Sequence, residues 1–258
     1  MVVRRQQQEN HASGQTQELP AALHPGPPML SDLKGFTLEP EDIRNLKICR
    51  PGKCGVQLPA EAMQELQKAL DWSGANVATQ VNDRVRRMAL EVLRRYQEDG
   101  NSVLGTCRDT DRPFDVDAQL QSFLGRSEAL PVCLPELNRY LLDYPNATLA
   151  NVESLFYWER VNFGLKPALR PNHAIPCRSA GPRGAAQVVA VKQSYASHYF
   201  ELALDLTACV TESGRTSDTG FHLISLKGSL LRRIVVSKTR SAQEKALINV
   251  KKALEEKQ

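Results

Sequence analysis

The sequence predicts an α+β fold: N-terminal helices, then an antiparallel β-sheet, then a long C-terminal helix. Three observations carry this. Apolar residues from Leu38 to about Phe163 recur at helical spacing, residues 199–210 alternate with period two, and the chain from Ser229 onward returns to a helical period. Helices and strands therefore segregate along the chain, which separates α+β from an alternating α/β pattern. The 258 residues divide into a disordered tail over 1–30, a helical region over 31–163, and a sheet plus helix over 164–258. The last two can share one continuous domain.

The tail holds Arg4-Arg5 and a glutamine run, then four prolines before Met29, with few apolar residues and no period. Glu39-Pro40-Glu41-Asp42 places a proline and acids in a first turn, so a short helix is expected to about Lys47. Pro59 opens a second, with Met63, Leu66, Ala69 and Leu70 as its stripe. The clearest helix follows, with Val77, Val81, Val85, Met88, Val92 and Tyr96 on one stripe and Gly100 as its stop. Shorter helices are expected near 115–124, 135–143 and 149–160.

After Gly164 the period changes. Phe200, Leu202, Leu204, Leu206, Ala208 and Val210 alternate with more polar neighbours and predict a long strand. Residues 187–195 and 221–226 predict two more, the latter reached through a polar loop over 212–220. Pro171 and Pro176 confine a strand over 169–177 to an edge. Leu231, Ile234, Val235, Ala242, Ala246, Val250 and Ala253 predict the closing helix.

Composition excludes several classes. Lys+Arg number 33 against 29 Asp+Glu, and 41% of residues are hydrophobic, which is too balanced and too apolar for a wholly disordered chain. No run approaches the roughly 18 apolar residues of a transmembrane segment. The basic excess is local: residues 228–258 carry eight Lys/Arg and three Glu. That reads as a solvated helix face, without a recognition motif or aromatic interleaving, and no nucleic-acid partner is expected. There is no phosphate loop, GxGxxG or HExxH, so no cofactor and no metal is expected. Read from Met1, with no apolar leader, the chain is expected in the cytoplasm.

Two motifs concentrate chemistry. Cys49-Arg50-Pro51-Gly52-Lys53-Cys54 places Pro-Gly at the centre of a type II turn, with the cysteines flanking it at a reach that a disulfide can span. The readings are a structural turn with or without a disulfide, a redox pair, or half a metal site; the turn leads, because the spacing is not CxxC and no second Cys/His pair accompanies it. Cys107, Cys133, Cys177 and Cys209 are scattered. The second motif, residues 192–200, runs Lys-Gln-Ser-Tyr-Ala-Ser-His-Tyr-Phe. A hydrolytic reading makes His198 a base, Ser194 or Ser197 a nucleophile and Glu201 or Asp205 the orienting group. The alternatives are a strand junction with hydrogen-bonded side chains, or the rim of a ligand cavity.

The stretches Lys34-Gly35-Phe36, Cys49 to Pro59, Phe163 to Pro167, Lys192 to Phe200 and Leu231 to Val235 resemble those of a group of bacterial proteins with no assigned activity. The likeness runs from about residue 30 onward and carries over no catalytic residue. Members of that group tend to look exported, with an apolar leader and a further segment ahead of the Lys-Gly-Phe stretch. This chain departs from them over 1–30. The resemblance implies a periplasmic or exported location if the start lies upstream, and it favours a Cys49–Cys54 disulfide.

In shape, the C-terminal half resembles the end of the helix-grip, START-like lipid-binding fold, in which the sheet curls around a helix and leaves an apolar cup. The analogy is one of fold alone. The long amphipathic strand, the closing helix and the lack of a catalytic constellation point to a non-enzymatic protein whose C-terminal sheet and helix bind an apolar small molecule, a lipid or a partner surface, with Tyr195, His198, Phe200, Leu202, Leu204, Leu231 and Ile234 as candidate ligand contacts. The alternatives are a thiol-dependent or hydrolytic enzyme centred on Cys49/Cys54 or Ser197/His198, and an envelope-associated structural or interaction protein.

Overall fold

The computed structural model describes residues 24–25 and 28–226, except positions 128, 151, 153, 163–164, 182–183 and 213–214. Side chains are described over the same stretches, except 24–25, 129, 179–186 and 209–226. The expected closing helix, with Leu231 and Ile234, lies outside the described residues, as does the tail over 1–23.

Within those bounds the architecture is helices followed by an antiparallel sheet. Strand β1 (His24–Pro25) is followed by α1 (Pro40–Ile48), α2 (Ala60–Ala69) and α3 (Val77–Asp99), then by a 3-10 segment over Gly100–Leu104. Next come β2 (Thr106–Cys107), β3 (Phe114–Asp115), α4 (Val116–Gly125), α5 (Ala129–Cys133) and α6 (Pro135–Asp143). The main strands are β4 (Leu155–Val161), β5 (Ala168–Gly181), β6 (Gly184–Gln193), β7 (Phe200–Glu212) and β8 (Arg215–Leu226). They form a six-stranded sheet in the order β1-β4-β5-β6-β7-β8, antiparallel throughout, while β2 and β3 pair separately.

Local chemistry explains the helix ends. Pro40 opens α1 where its missing N–H costs nothing, and Glu41 and Asp42 occupy the first turn. Asp115 caps α4 by accepting from Ala118 N at 2.9 Å. Gly100 ends α3 at φ 76°, and a Cβ there would meet the Tyr144 carbonyl.

The sheet corrects four expectations. Residues 149–160 do not form a helix: β4 takes Leu155–Val161, because its aromatic run fits a pleated surface and buries Phe156 and Trp158 on one side. The loop expected over 212–220 is shorter, since β8 begins at Arg215. On α3, Val92 is exposed, because the helix turns different faces to two cores, Val81 and Leu90 to one and Leu93 and Tyr96 to the other.

The fourth concerns β5, which is interior and not an edge. In an antiparallel ladder the N–H and C=O of one residue point to the same neighbour, and successive residues alternate between neighbours. Pro171 O accepts from Ser194 N, so Pro171 points to the β6 side, just past the last ladder pair Asn172–Gln193. Pro176, five residues on, points to the β4 side, past its last pair Leu155–Ala174. Neither ring removes a ladder hydrogen bond.

One face of the sheet meets the helices. Phe156, Ile175, Val188, Leu202, Leu204 and Leu206 pack with residues of α3, α4 and α6 in the larger core. A second core joins α1, α2 and the first part of α3 to Trp158 and Leu169. Burying each such leucine contributes about 1.5–3 kcal/mol.

Candidate functional site

The segment after β6 is a strap, and its polar groups are used for scaffolding. Ser194 donates to Pro171 O from both N and Oγ, at 3.0 Å each. Tyr195 donates its hydroxyl to Gln57 O at 2.6 Å, and burial raises its pKa well above the ordinary value. Ser197 N donates to Leu169 O, and Ser197 Oγ accepts from Leu169 N at 3.0 Å. Gln57, with its amide oriented to match its neighbours, donates to Ala196 O and Phe200 O and accepts from Tyr199 N. The strap thereby fastens the 54–59 loop to the sheet.

His198 Nε2 lies 2.9 Å from Asp42 Oδ2, and Lys166 Nζ lies 3.3 Å from Asp42 Oδ1 and 2.8 Å from Glu41. Burial alone would raise the Asp42 carboxyl, but hydrogen bonding and charge from His198 and Lys166 outweigh it and lower the pKa. The group facing His198 is thus Asp42 on α1, and not Glu201 or Asp205. Among the described hydrogen bonds, none joins Ser194 or Ser197 to His198.

Cys49 and Cys54 form a disulfide, with Cα atoms 4.6 Å apart. Lys53 N donates to Arg50 O at 2.9 Å, and Gly52 takes φ 86°, as the turn requires. The turn docks on the β2–β3 hairpin: Gly52 N donates to Arg108 O and Cys54 N to Asp109 O. Cys107 and Cys177 are buried and Cys133 is exposed. No group of three His, Cys, Asp or Glu side chains among the described residues is placed to hold a metal ion, and no helix among them is long and apolar enough to cross a membrane.

The candidate ligand contacts separate. Leu202 and Leu204 lie in the core between sheet and helices. Phe200 does not join them. A register shift between Phe200 and Leu202 breaks the alternation, and Phe200 packs with Ala168 while the Arg170 guanidinium lies 4.9 Å above its ring.

That places Phe200 at the sheet's other face, whose polar residues the sequence reading passed over. Cross-strand pairing sets Tyr157 beside Asn172, Asn172 beside Gln193, and Glu159 beside Arg170. Asn172 Nδ2 donates to Glu159 Oε1 at 3.0 Å and to Arg170 O at 3.3 Å, which fixes its amide orientation. Asn172 Oδ1, Gln193 Oε1 and Arg170 Nε are buried with no hydrogen-bond partner. Asn172 is 0% exposed and Gln193 2%. Such groups are uncommon in folded proteins, and each costs about 1–3 kcal/mol. Along the same face, Ala174, Pro176, Val189 and Val191 continue as an apolar strip. Polar residues within otherwise apolar strand runs were the available signal, but their face could not be assigned before the pairing register was known.

The helix-facing side carries a second polar cluster. Phe156, His173, Lys192 and Leu204 form one cross-strand row. His173 Nδ1 pairs with Tyr96 OH at 3.0 Å and His173 Nε2 with Ser154 Oγ at 3.1 Å, and Ser154 Oγ meets Tyr140 OH at 3.0 Å. Lys192 Nζ donates to Asn101 Oδ1 and lies 4.5 Å from the Tyr96 ring centroid and 5.8 Å from that of Tyr144. Asn101 Nδ2 donates to Leu141 O and Leu142 O. Burial pushes the Lys192 pKa down to about 7, with the charge of Asp117 acting the other way. Burial and then the charge of Lys192 hold His173 well below its usual range, and burial lifts Tyr144 to about 12.

Above this cluster is an open groove of about 630 Å³ between α4, α6 and the end of α3, with Asp99, Asn101, Asp117, Arg139, Asp143 and Tyr144 among its walls. Comparison with protein-family models, curated proteins and solved structures finds no match for this chain.

Proposed function

We propose that this protein is a non-enzymatic binding protein whose ligand is an amphipathic small molecule held against the sheet face opposite the helices. The supporting observation is the set of unpartnered polar atoms on that face, Asn172 Oδ1, Gln193 Oε1 and Arg170 Nε, on residues shielded from solvent. These atoms are covered in the ligand-free chain, so binding requires their cover to open; the ligand's polar end then supplies donors to the two amide oxygens and an acceptor to Arg170. Its apolar part lies along Ala174, Pro176, Val189 and Val191, with Phe200 beside the polar end. The reading keeps a lipid-like ligand but moves it away from Leu202 and Leu204, whose surfaces already pack in the core.

Native mass spectrometry of the full chain, before and after titration with monolaurin, whose two hydroxyls can both donate and accept, tests this. Wild type is expected to carry or take up one single-chain amphiphile, and Arg170→Met to lower monolaurin uptake at least tenfold. A wild-type protein that carries no small molecule and takes up no monolaurin overturns the proposal.

A further inference from the structure

The first residue of the strap motif, Lys192, is not used by the binding face. It points to the opposite side of the sheet, beneath the groove between α4 and α6. Asn101 and Tyr144 line that groove and also lie against the Lys192 amine, which is itself buried, so a shift of these two side chains is what admits a ligand to Nζ. The groups that face it are Tyr96 from α3, Asn101 from the following 3-10 segment, Asp117 from α4, Tyr144 from the loop after α6, and His173 from β5.

We infer that Lys192 is a reactive amine that captures small, uncharged aldehydes from the groove as a reversible imine. The Nζ lone pair attacks the carbonyl carbon, a C–N bond forms, and the carbonyl electron pair moves to oxygen. The oxygen takes one proton from nitrogen to give a carbinolamine. Loss of that hydroxyl with the second nitrogen proton releases water and leaves the C=N bond.

Three features support this chemistry. The amine is held in a fixed position by Asn101 and two aromatic faces, so attack needs little further ordering. Its pKa of about 7 leaves about half of it neutral at pH 7, against roughly one part in a few thousand for a lysine at 10.5. The groove walls carry three carboxylates, Asp99, Asp117 and Asp143, against Arg139, which disfavours anionic carbonyl compounds and suits a neutral, hydroxylated aldehyde.

The test is reductive trapping of the full chain with glycolaldehyde and cyanoborohydride, read by peptide mapping. At pH 7 Lys192 is expected to label at least tenfold faster than any other lysine, with a pH midpoint near 7. Lys192→Met is expected to lose that label alone. If the variant does not fold, the same comparison in wild type with and without urea replaces it, since unfolding must abolish the preference. Labelling of surface lysines with Lys192 slower or unmodified overturns the inference, as does a Lys192 preference that persists in urea.

Discussion

On the helix side of the sheet, His173 and Lys192 stand in a row between Phe156 and Leu204, and helical residues reach down to meet them. One register away, on the other side, Asn172 and Gln193 are as deeply buried, yet each keeps an oxygen with no partner. The strands are the same, so the difference comes from what lies across from them. α3 and the segment after it supply Tyr96 and Asn101 at hydrogen-bonding distance, whereas cross-strand neighbours lie side by side and cannot fill every lone pair of an amide. Among the described residues, the helices supply partners to His173 and Lys192, while Asn172 Oδ1 and Gln193 Oε1 on the other side keep hydrogen-bonding capacity, which the proposed ligand would use.

The largest expected effect separates the faces by packing. Leu204→Ala is expected to cost about 2–5 kcal/mol, since the side chain is fully buried against helices. Val189→Ala, on the apolar strip and 39% exposed, is expected to cost less than about 1 kcal/mol. Urea unfolding of both variants checks this; equal costs would mean that the strip is core and not a docking surface.

The next effect is electrostatic. Lys192 titrates near 7 when folded and near 10.5 when unfolded, so between those values the unfolded chain holds the extra proton. Stability therefore rises with pH over this window, by at most about 1.4 kcal/mol per pH unit. His173 acts in acid: its folded pKa lies below 6.5, so it contributes a loss of stability as pH falls under that value. Subtracting the Lys192→Met curve from wild type should leave the alkaline slope and cancel the part of the acid one that burial of His173 causes, with a remainder because the charge of Lys192 also lowers His173. A flat difference between pH 7 and 10 would place a charged, fully compensated lysine in the helix-side row.

Much of this architecture was legible in the chain. Pro40 with its acids, Pro59 and the period-two run from Phe200 placed α1, α2 and β7 close to where they lie. The Pro-Gly turn placed Cys49 opposite Cys54, because turn geometry is local. What failed depended on partners distant in sequence. Leu155 to Val161 is short enough to read as helix or strand until β5 pairs with it. The prolines of β5 are tolerated because β6 stops short of Pro171 and β4 stops short of Pro176, the sides to which their nitrogens point. Phe200 changes face through a register shift that no periodicity reveals. The motif over 192–200 was conspicuous, but its composition could not show that Ser197 and His198 serve Leu169 and Asp42 instead of each other.

The smallest effect is the most direct test of the contrast, because it predicts opposite signs. Gln193→Leu removes a buried oxygen without a partner and fills similar volume, so the ligand-free protein should gain about 1 kcal/mol while monolaurin uptake falls. Asn101→Leu on the helix side should lose stability, because it strips Lys192 of its acceptor and the Leu141 and Leu142 carbonyls of their donor. Urea unfolding with and without monolaurin reads both. If Gln193→Leu is destabilising in the ligand-free protein, its oxygen already has a solvent partner. Both faces would then be closed, and the proposed ligand would have to displace that water to bind.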